Sequence, residues 1–202
     1  IEIDAIGITG QMHGTVLLDA ALRPIGNAII WSDSRSAGDA AELMREAGGR
    51  MVELAGSAVA AGFQAATIRW LRRTQPDRWR RVERVLLPKD YLRFRLTGTL
   101  ATDPSDAAGS LLADRGTRSW SPELLALAGI DEPQLPPILA SSEIAGALTD
   151  RAAQELGLPA GIPVITGAAD AAAAALGAGV VAEDQLLITL STGAQVLAPQ
   201  MR

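Results

Sequence analysis

The 202-residue chain contains no cysteine, which excludes disulfides, thiolate metal sites and thiol nucleophiles and suits a reducing, cytoplasmic setting. Aromatic residues are scarce, at 3%. The interior must then be built from Ala, Leu, Ile and Val, side chains that favour helices packed closely against a sheet. Positive charge is also short: 18 Lys and Arg stand against 23 Asp and Glu, a formal net charge of −5. That sign argues against a general nucleic-acid binder. Membrane-length apolar runs are missing too. The weakly polar stretch 161–182 is interrupted by Pro163 and Asp170 and consists largely of Ala and Gly, so it reads as a strand followed by a buried helix. No charged-then-apolar leader is read, and the chain opens on Ile1 within a few residues of a core strand, where a natural domain seldom begins.

What is present suffices for a core. Hydrophobic residues make up 48% of the chain, enough for one large domain or one and a fraction. Short apolar runs predict strands at 5–9, 15–19 and 28–31, the second pairing with the first or following it closely. Residues 32–36, Ser-Asp-Ser-Arg-Ser, offer N-cap chemistry for a helix over 37–47 that Gly48 and Gly49 close. Further helices are predicted over 64–74, ended by Pro76, and over 89–96, started by Pro88 and stopped by Gly98. Others run from Ser121 to Ala128, over 150–156 and over 169–177, with strands at 82–87, 162–166 and 185–190. Residues 101–109, Ala-Thr-Asp-Pro-Ser-Asp-Ala-Ala-Gly, are polar and turn-rich, suited to lining a site or capping a helix. The alternation is mixed α/β, without repeats or heptads.

A basic stretch holds Arg69, Arg72, Arg73, Arg78, Arg80, Arg81 and Arg84, followed by Lys89, Arg93 and Arg95. Interleaved Ile68, Trp70 and Leu71 and the acids Asp77 and Glu83 make it read as a solvated helix face.

Three segments can carry chemistry. His13, the only histidine, follows the apolar run Ile6-Gly7-Ile8-Thr9 in a polar loop pinned by Gly10 and Gly14. A strand that stops so abruptly delivers side chains to a cleft, although a lone histidine is more simply a turn or surface residue. Asp170 stands where the run Pro163-Val164-Ile165-Thr166 turns through Gly167 into an Ala-rich helix. There it serves either as a general base, its charge stabilised by helix amides, or as a plain N-cap. Ser191-Thr192-Gly193 ends a strand, and forms either a phosphate-facing loop without a Walker lysine or an ordinary turn.

Taken together the segments form a pattern. Thr9-Gly10-Gln11-Met12-His13-Gly14, Trp31-Ser32-Asp33-Ser34-Arg35, Leu86-Leu87-Pro88-Lys89-Asp90-Tyr91-Leu92-Arg93, Leu96-Thr97-Gly98, Thr102-Asp103-Pro104-Ser105-Asp106-Ala107-Ala108-Gly109 and Gly167-Ala168-Ala169-Asp170 occur in one fixed order. The chain thereby resembles the FGGY carbohydrate kinases over essentially its whole length. Its Gln-Met-His-Gly loop is distinctive of the family's xylulose branch, where glycerol kinases carry an Arg-Glu pair. The resemblance implies an α/β fold, a ribonuclease-H-like sugar kinase lobe of the actin-like ATPase superfamily, with a mixed sheet and flanking helices. Residues 1–183 would form an N-terminal sugar-binding lobe lacking its first strands, and residues 184–202 the start of a C-terminal nucleotide-binding lobe.

The implied activity is ATP-dependent phosphorylation of a ketopentose, most like D-xylulose to D-xylulose 5-phosphate, with Mg2+ accompanying ATP. Asp170 matches the catalytic aspartate that takes the proton of the attacking sugar hydroxyl, a role phosphoryl transfer can use. Gln11, Met12 and His13 match the substrate loop. Trp31 and Asp33 belong to a segment near the sugar pocket, although Trp31 equally suits the core and Asp33 the N-cap of the next helix. Ser191, Thr192 and Gly193 fall in a phosphate-binding hairpin. The Asp103 and Asp106 loop is read as mostly architectural, and no metal ligand is assigned. The implied partners are the sugar and ATP, with neither nucleic acid nor membrane, and with homodimer formation through exposed apolar surface as a further expectation.

The chain departs from the family pattern at several points. Ala171 replaces the Asn usual after the catalytic aspartate, removing one polar contact that would discriminate sugars by about 1 to 3 kcal/mol. Ser191 stands where Gly is usual, and Ala66 and Thr67 replace a Pro-Lys pair. The family's Asp-x-Gly-Thr loop is expected before Ile1 and most of the nucleotide lobe after Arg202, so the chain alone is expected to be inactive. The alternatives are another FGGY kinase, acting on ribulose or glycerol, a sugar-binding module without turnover, and a folded scaffold.

Overall fold

A computed structural model describes residues 2–190 and 194–199. The chain begins with β1 (Thr9–Gly10) and β2 (Val16–Leu18), which flank the His13 loop. Helix α1 (Ala37–Ala47) begins after Ser36 and ends at Gly48, as its pattern predicts. Two short helices next to α3 (Gln64–Thr74) were not foreseen: α2 (Arg50–Ala55) before it and α4 (Pro76–Trp79) after it. Each is too short to show a helical period, and α2 is held by burial of Met51 and Ala55.

Strand β3 (Arg84–Leu86) leads into α5 (Pro88–Thr97), with Pro88 in its first turn and Gly98 at φ 75° just past its end. The segment read as turn-rich contains α6 (Pro104–Gly109), nucleated by Asp103, whose side chain accepts the Ser105 N–H. Then follow β4 (Ala113–Asp114), β5 (Ser119–Trp120) and α7 (Pro122–Ala128), capped by Ser121. A 3-10 turn at Glu132–Gln134 precedes β6 (Ile144–Ala147), α8 (Asp150–Leu156) and β7 (Pro163–Ile165). The chain continues with β8 (Ala168–Ala169), α9 (Asp170–Gly177) and the antiparallel hairpin of β9 (Leu187–Leu190) and β10 (Ala194–Leu197).

The strand pairing is mixed. β1 runs parallel to β8, Ile6 bridges Val164 of β7 in parallel, and β6 lies antiparallel on the other side of β7. β2 pairs antiparallel with β3 rather than with β1, because the His13 loop turns the chain away from the first strand. The run at 28–31 contributes a single bridge, Ile29 to Thr15, before a turn at 31–32 leaves Ile30 and Trp31 exposed.

The main core joins α1, α2, α3 and α7 to β2 and β3 through buried side chains such as Leu17, Leu43, Met51, Ile68, Val85 and Leu124. Each contributes roughly 1.5–3 kcal/mol on burial. A second cluster, with Ile8, Leu148, Ile162 and Val164, packs under the mixed sheet. Helix α9 is not the buried helix the sequence suggested. Only Ala175 in it is buried, because Ala172, Ala173 and Leu176 line an open, largely apolar cavity beside β1 and β8. Among the described residues no helix is long and apolar enough to cross a membrane.

The basic stretch divides. Arg72, Arg73, Arg80, Arg81 and Arg95 are exposed, as a solvated face requires, but Lys89 and Arg93 are fully buried. Their solvation is replaced by three buried carboxylates and backbone carbonyls, described below.

Candidate active site

The parallel pair β1 and β8 aligns Thr9 with Ala168 and Gly10 with Ala169. The Gln11-Met12-His13 loop and Asp170 therefore leave the sheet side by side, at the carboxyl ends of parallel strands, where α/β folds place ligands. Glycine makes this approach possible. Gly167 has φ 85°, and a Cβ there would lie 2.0 Å from the Ile8 carbonyl oxygen. Asp170 opens α9 and is exposed, with Oδ1 accepting the Ala171 N–H at 2.8 Å.

His13 adopts φ 67°, a left-handed conformation uncommon outside glycine and enriched at functional sites. Its Nδ1 lies 2.6 Å from the Gly109 carbonyl. A carbonyl only accepts, so Nδ1 carries the proton and Nε2 of the neutral ring is left as an acceptor. The ring stacks on Phe63 at 3.9 Å between centroids, with 7° between planes. Burial lowers the His13 pKa, opposed by the Gly109 hydrogen bond and by the negative charge of Asp170. The ring is thus held neutral, and the two groups lie within electrostatic reach of each other.

The other residues singled out from the sequence take definite places. Gln11 Oε1 is buried without a hydrogen-bond partner, an acceptor facing no protein donor. Met12 packs so close to Gly109 that a Cβ there would lie 2.8 Å from its methyl. Trp31 is 57% exposed and so is not a core residue. Its carbonyl lies against Gly62, where a Cβ would approach to 2.0 Å, and the next residue is the Phe63 that stacks on His13.

Asp33 does not cap α1, whose N-cap position belongs to Ser36. It instead grips Arg35, accepting from Nη2 at 2.6 Å and from Nε at 3.0 Å. The Arg35 hydrogen bonds hold its carboxyl below the usual carboxylate range. Ser191, Thr192 and Gly193 lie outside the described residues.

Below the loop lies a charged cluster. Lys89 Nζ is 2.6 Å from Asp90, 3.1 Å from Asp103 and 3.4 Å from Asp106, and Arg93 is 3.0 Å from Asp90, all with side chains at 0% exposure. Arg93 also donates to the carbonyls of Thr166 and Ala101. Two cations face three carboxylates, so one proton brings the cluster to neutrality. Asp106 supplies that site: burial, with repulsion from Asp90 and Asp103, pushes its pKa up to about 7 against the attraction of Lys89. Burial acts to lower the Lys89 pKa, but Asp90, Asp106 and Asp103 outweigh it and raise it.

Phe63 and the burial of Lys89 and Arg93 were missed from the sequence. Two signals were available: Asp90 and Arg93 stand one helical turn apart, and Asp103 and Asp106 share one face of a capped turn.

Asp170 and Ala171 also border an open cavity of about 190 Å³ lined on its other side by Leu187, Thr189, Gln195 and Leu197 of β9 and β10. Among the described residues no group of three or more His, Asp or Glu could hold a metal ion.

Known proteins are similar to this chain over nearly its whole length. The xylulose kinase of Escherichia coli (strain K12) is 40% identical over 191 residues, covering 95% of this chain and 39% of that relative. A solved structure of a xyloylose kinase from Brucella ovis superimposes with a TM-score of 0.88 at 41% identity, covering 96% of this chain and 40% of the other. The xylulose kinase structure from Rhodospirillum rubrum gives a TM-score of 0.92 at 30% identity, covering 97% and 40%. The chain thus spans about two fifths of the length of these relatives. Residues 1–177 match the N-terminal domain of the FGGY family of carbohydrate kinases, and the chain belongs to that family.

Proposed function

We propose that the complete protein transfers the terminal phosphoryl group of ATP to a ketopentose, D-xylulose in particular, giving D-xylulose 5-phosphate and ADP. The observation that carries this reading is the meeting of a neutral His13 and an exposed Asp170 at the carboxyl ends of β1 and β8. Residues 1–183 are read as the sugar-binding lobe and 184–202 as the start of the nucleotide-binding lobe, with Ser191, Thr192 and Gly193 toward the phosphates.

In this reading the sugar hydroxyl oxygen forms a bond to the γ-phosphorus as the bond from phosphorus to the ADP oxygen breaks. Asp170 takes the hydroxyl proton, and its exposure leaves the carboxylate free to do so. His13 Nε2 accepts a hydrogen bond from another sugar hydroxyl, which orients the acceptor, and Gln11, whose Oε1 is buried, anchors the loop that carries it. The exposed Trp31 indole offers an apolar wall. Asp33 works through Arg35, whose guanidinium it holds and which lies 4.4 Å from the centre of the Trp70 ring. Magnesium, when bound with ATP, would neutralise phosphate charge. The residues named here act on protons and hydrogen bonds.

The test compares D-xylulose, L-ribulose and glycerol as acceptors for the complete protein with ATP. D-xylulose should have the highest kcat/KM, with selectivity over L-ribulose weakened by Ala171. Better turnover of glycerol would overturn the reading, and tight sugar binding without phosphate transfer would replace it by a binding module.

A further inference from the structure

Helix α6 touches both halves of the site. Its last residue, Gly109, accepts the His13 Nδ1–H at 2.6 Å. Near its start, Ser105 Oγ accepts the N–H of Ala169 at 3.0 Å. Ala169 is 1% exposed and immediately precedes Asp170. The single Ser105 hydroxyl proton goes to Asp103 Oδ2, which leaves the oxygen lone pairs for Ala169. Asp103 is itself anchored. Oδ2 accepts from Ser105 N at 2.9 Å and from Ser141 Oγ at 3.3 Å, and Oδ1 lies 3.1 Å from Lys89 Nζ. A continuous set of contacts runs from a buried ammonium through a carboxylate and a hydroxyl to the peptide ahead of Asp170.

We infer that Ser105 is a positioning residue, whose hydroxyl fixes the Ala169 peptide and thereby aims the Asp170 carboxylate toward the acceptor held at His13. This rests on the reading of Asp170 as the proton acceptor given above. Ser105 is not the cap of α6. Asp103 is, and its bond to the Ser105 backbone N–H survives loss of the hydroxyl. Removing that hydroxyl takes an acceptor from a buried N–H at the turn from β8 into α9. A displacement of about 1 Å at a reacting group costs on the order of 10²-fold in rate.

The test uses the complete protein carrying Ser105→Ala, Ser105→Thr or Asp170→Asn. Steady-state kinetics with D-xylulose and ATP are read alongside the His13 imidazole titration by NMR, its resonance assigned by its loss in His13→Gln. His13 reports on Asp170 because that carboxylate's charge raises its pKa. In Ser105→Ala, kcat should fall by about 10- to 100-fold while the sugar KM stays close to wild type. His13 should also titrate at lower pH, in the direction of Asp170→Asn, and Ser105→Thr should restore both readouts.

The inference is overturned by an unchanged kcat, by an unchanged His13 titration, or by equal losses in kcat and affinity that Ser105→Thr does not repair. If the wild type phosphorylates no sugar, the functional reading fails by itself. The His13 titration then still decides whether Ser105 places Asp170.

Discussion

At the start of α6, Asp103 is fully buried, pairs with Lys89 and accepts from a backbone amide and two hydroxyls. At the start of α9, Asp170 is exposed and accepts from the Ala171 amide beside it. Both carboxylates follow a short extended segment where a helix begins, Asp103 as the N-cap before Pro104 and Asp170 as the first helical residue before Ala171. What separates them is depth. Asp103 lies over α5, which delivers Lys89 and Arg93 into the interior, whereas Asp170 stands at the lip of the parallel pair. The buried acid braces the fold, and the exposed one is open to the proton transfer proposed for it.

The comparison breaks first at Lys89. Lys89→Met leaves Asp90, Asp103 and Asp106 without their shared ammonium and should destabilise the complete protein by about 3–5 kcal/mol in urea or thermal unfolding. An unfolding midpoint near wild type would mean that the cluster does not brace the site.

Asp170→Asn should produce the opposite pattern, a loss of about 10²- to 10⁴-fold in kcat with little change in the unfolding midpoint. Equal losses of stability and rate would erase the distinction between the two aspartates.

The smallest effect concerns Asp106. Its folded pKa is raised from 3.8 to about 7, so between those values the folded chain holds a proton that the unfolded chain has released. Stability therefore falls as pH rises through that window and levels off above about 7, with a slope of at most about 1.4 kcal/mol per pH unit. Asp106→Asn, locked in the neutral form, should flatten this decline and gain on wild type as pH is raised from about 5 to about 8. Parallel pH curves for the two proteins would place the cluster's proton elsewhere.

Much of this was legible in the linear pattern. The bounds of α1 and α3 follow from their flanking Ser36, Gly48 and Pro76, and α5 is bracketed by Pro88 and Gly98. The glycine-pinned His13 loop and the strand-to-helix turn at Asp170 stood out in the sequence, and β1–β8 pairing sets them side by side. The partner of β2 was not legible, because strand pairing depends on which distant segment arrives at its edge. The burial of Lys89 and Arg93 was hinted at only by Asp90 one turn before Arg93 and by the paired Asp103 and Asp106, since their neighbours in sequence otherwise resemble those of the exposed arginines in the same stretch.

Capping, turn geometry and apolar periodicity act between residues a few positions apart, and so the sequence by itself determined where most helices start and stop and which loops carry Gln11, His13 and Asp170. Desolvation depends on every element that closes over a group. Only the tertiary structure could decide that Lys89, Arg93, Asp103 and Asp106 are withdrawn from water, that Trp31 and Asp170 remain in it, and that His13, hydrogen-bonded to Gly109 and stacked on Phe63, has its pKa lowered by burial.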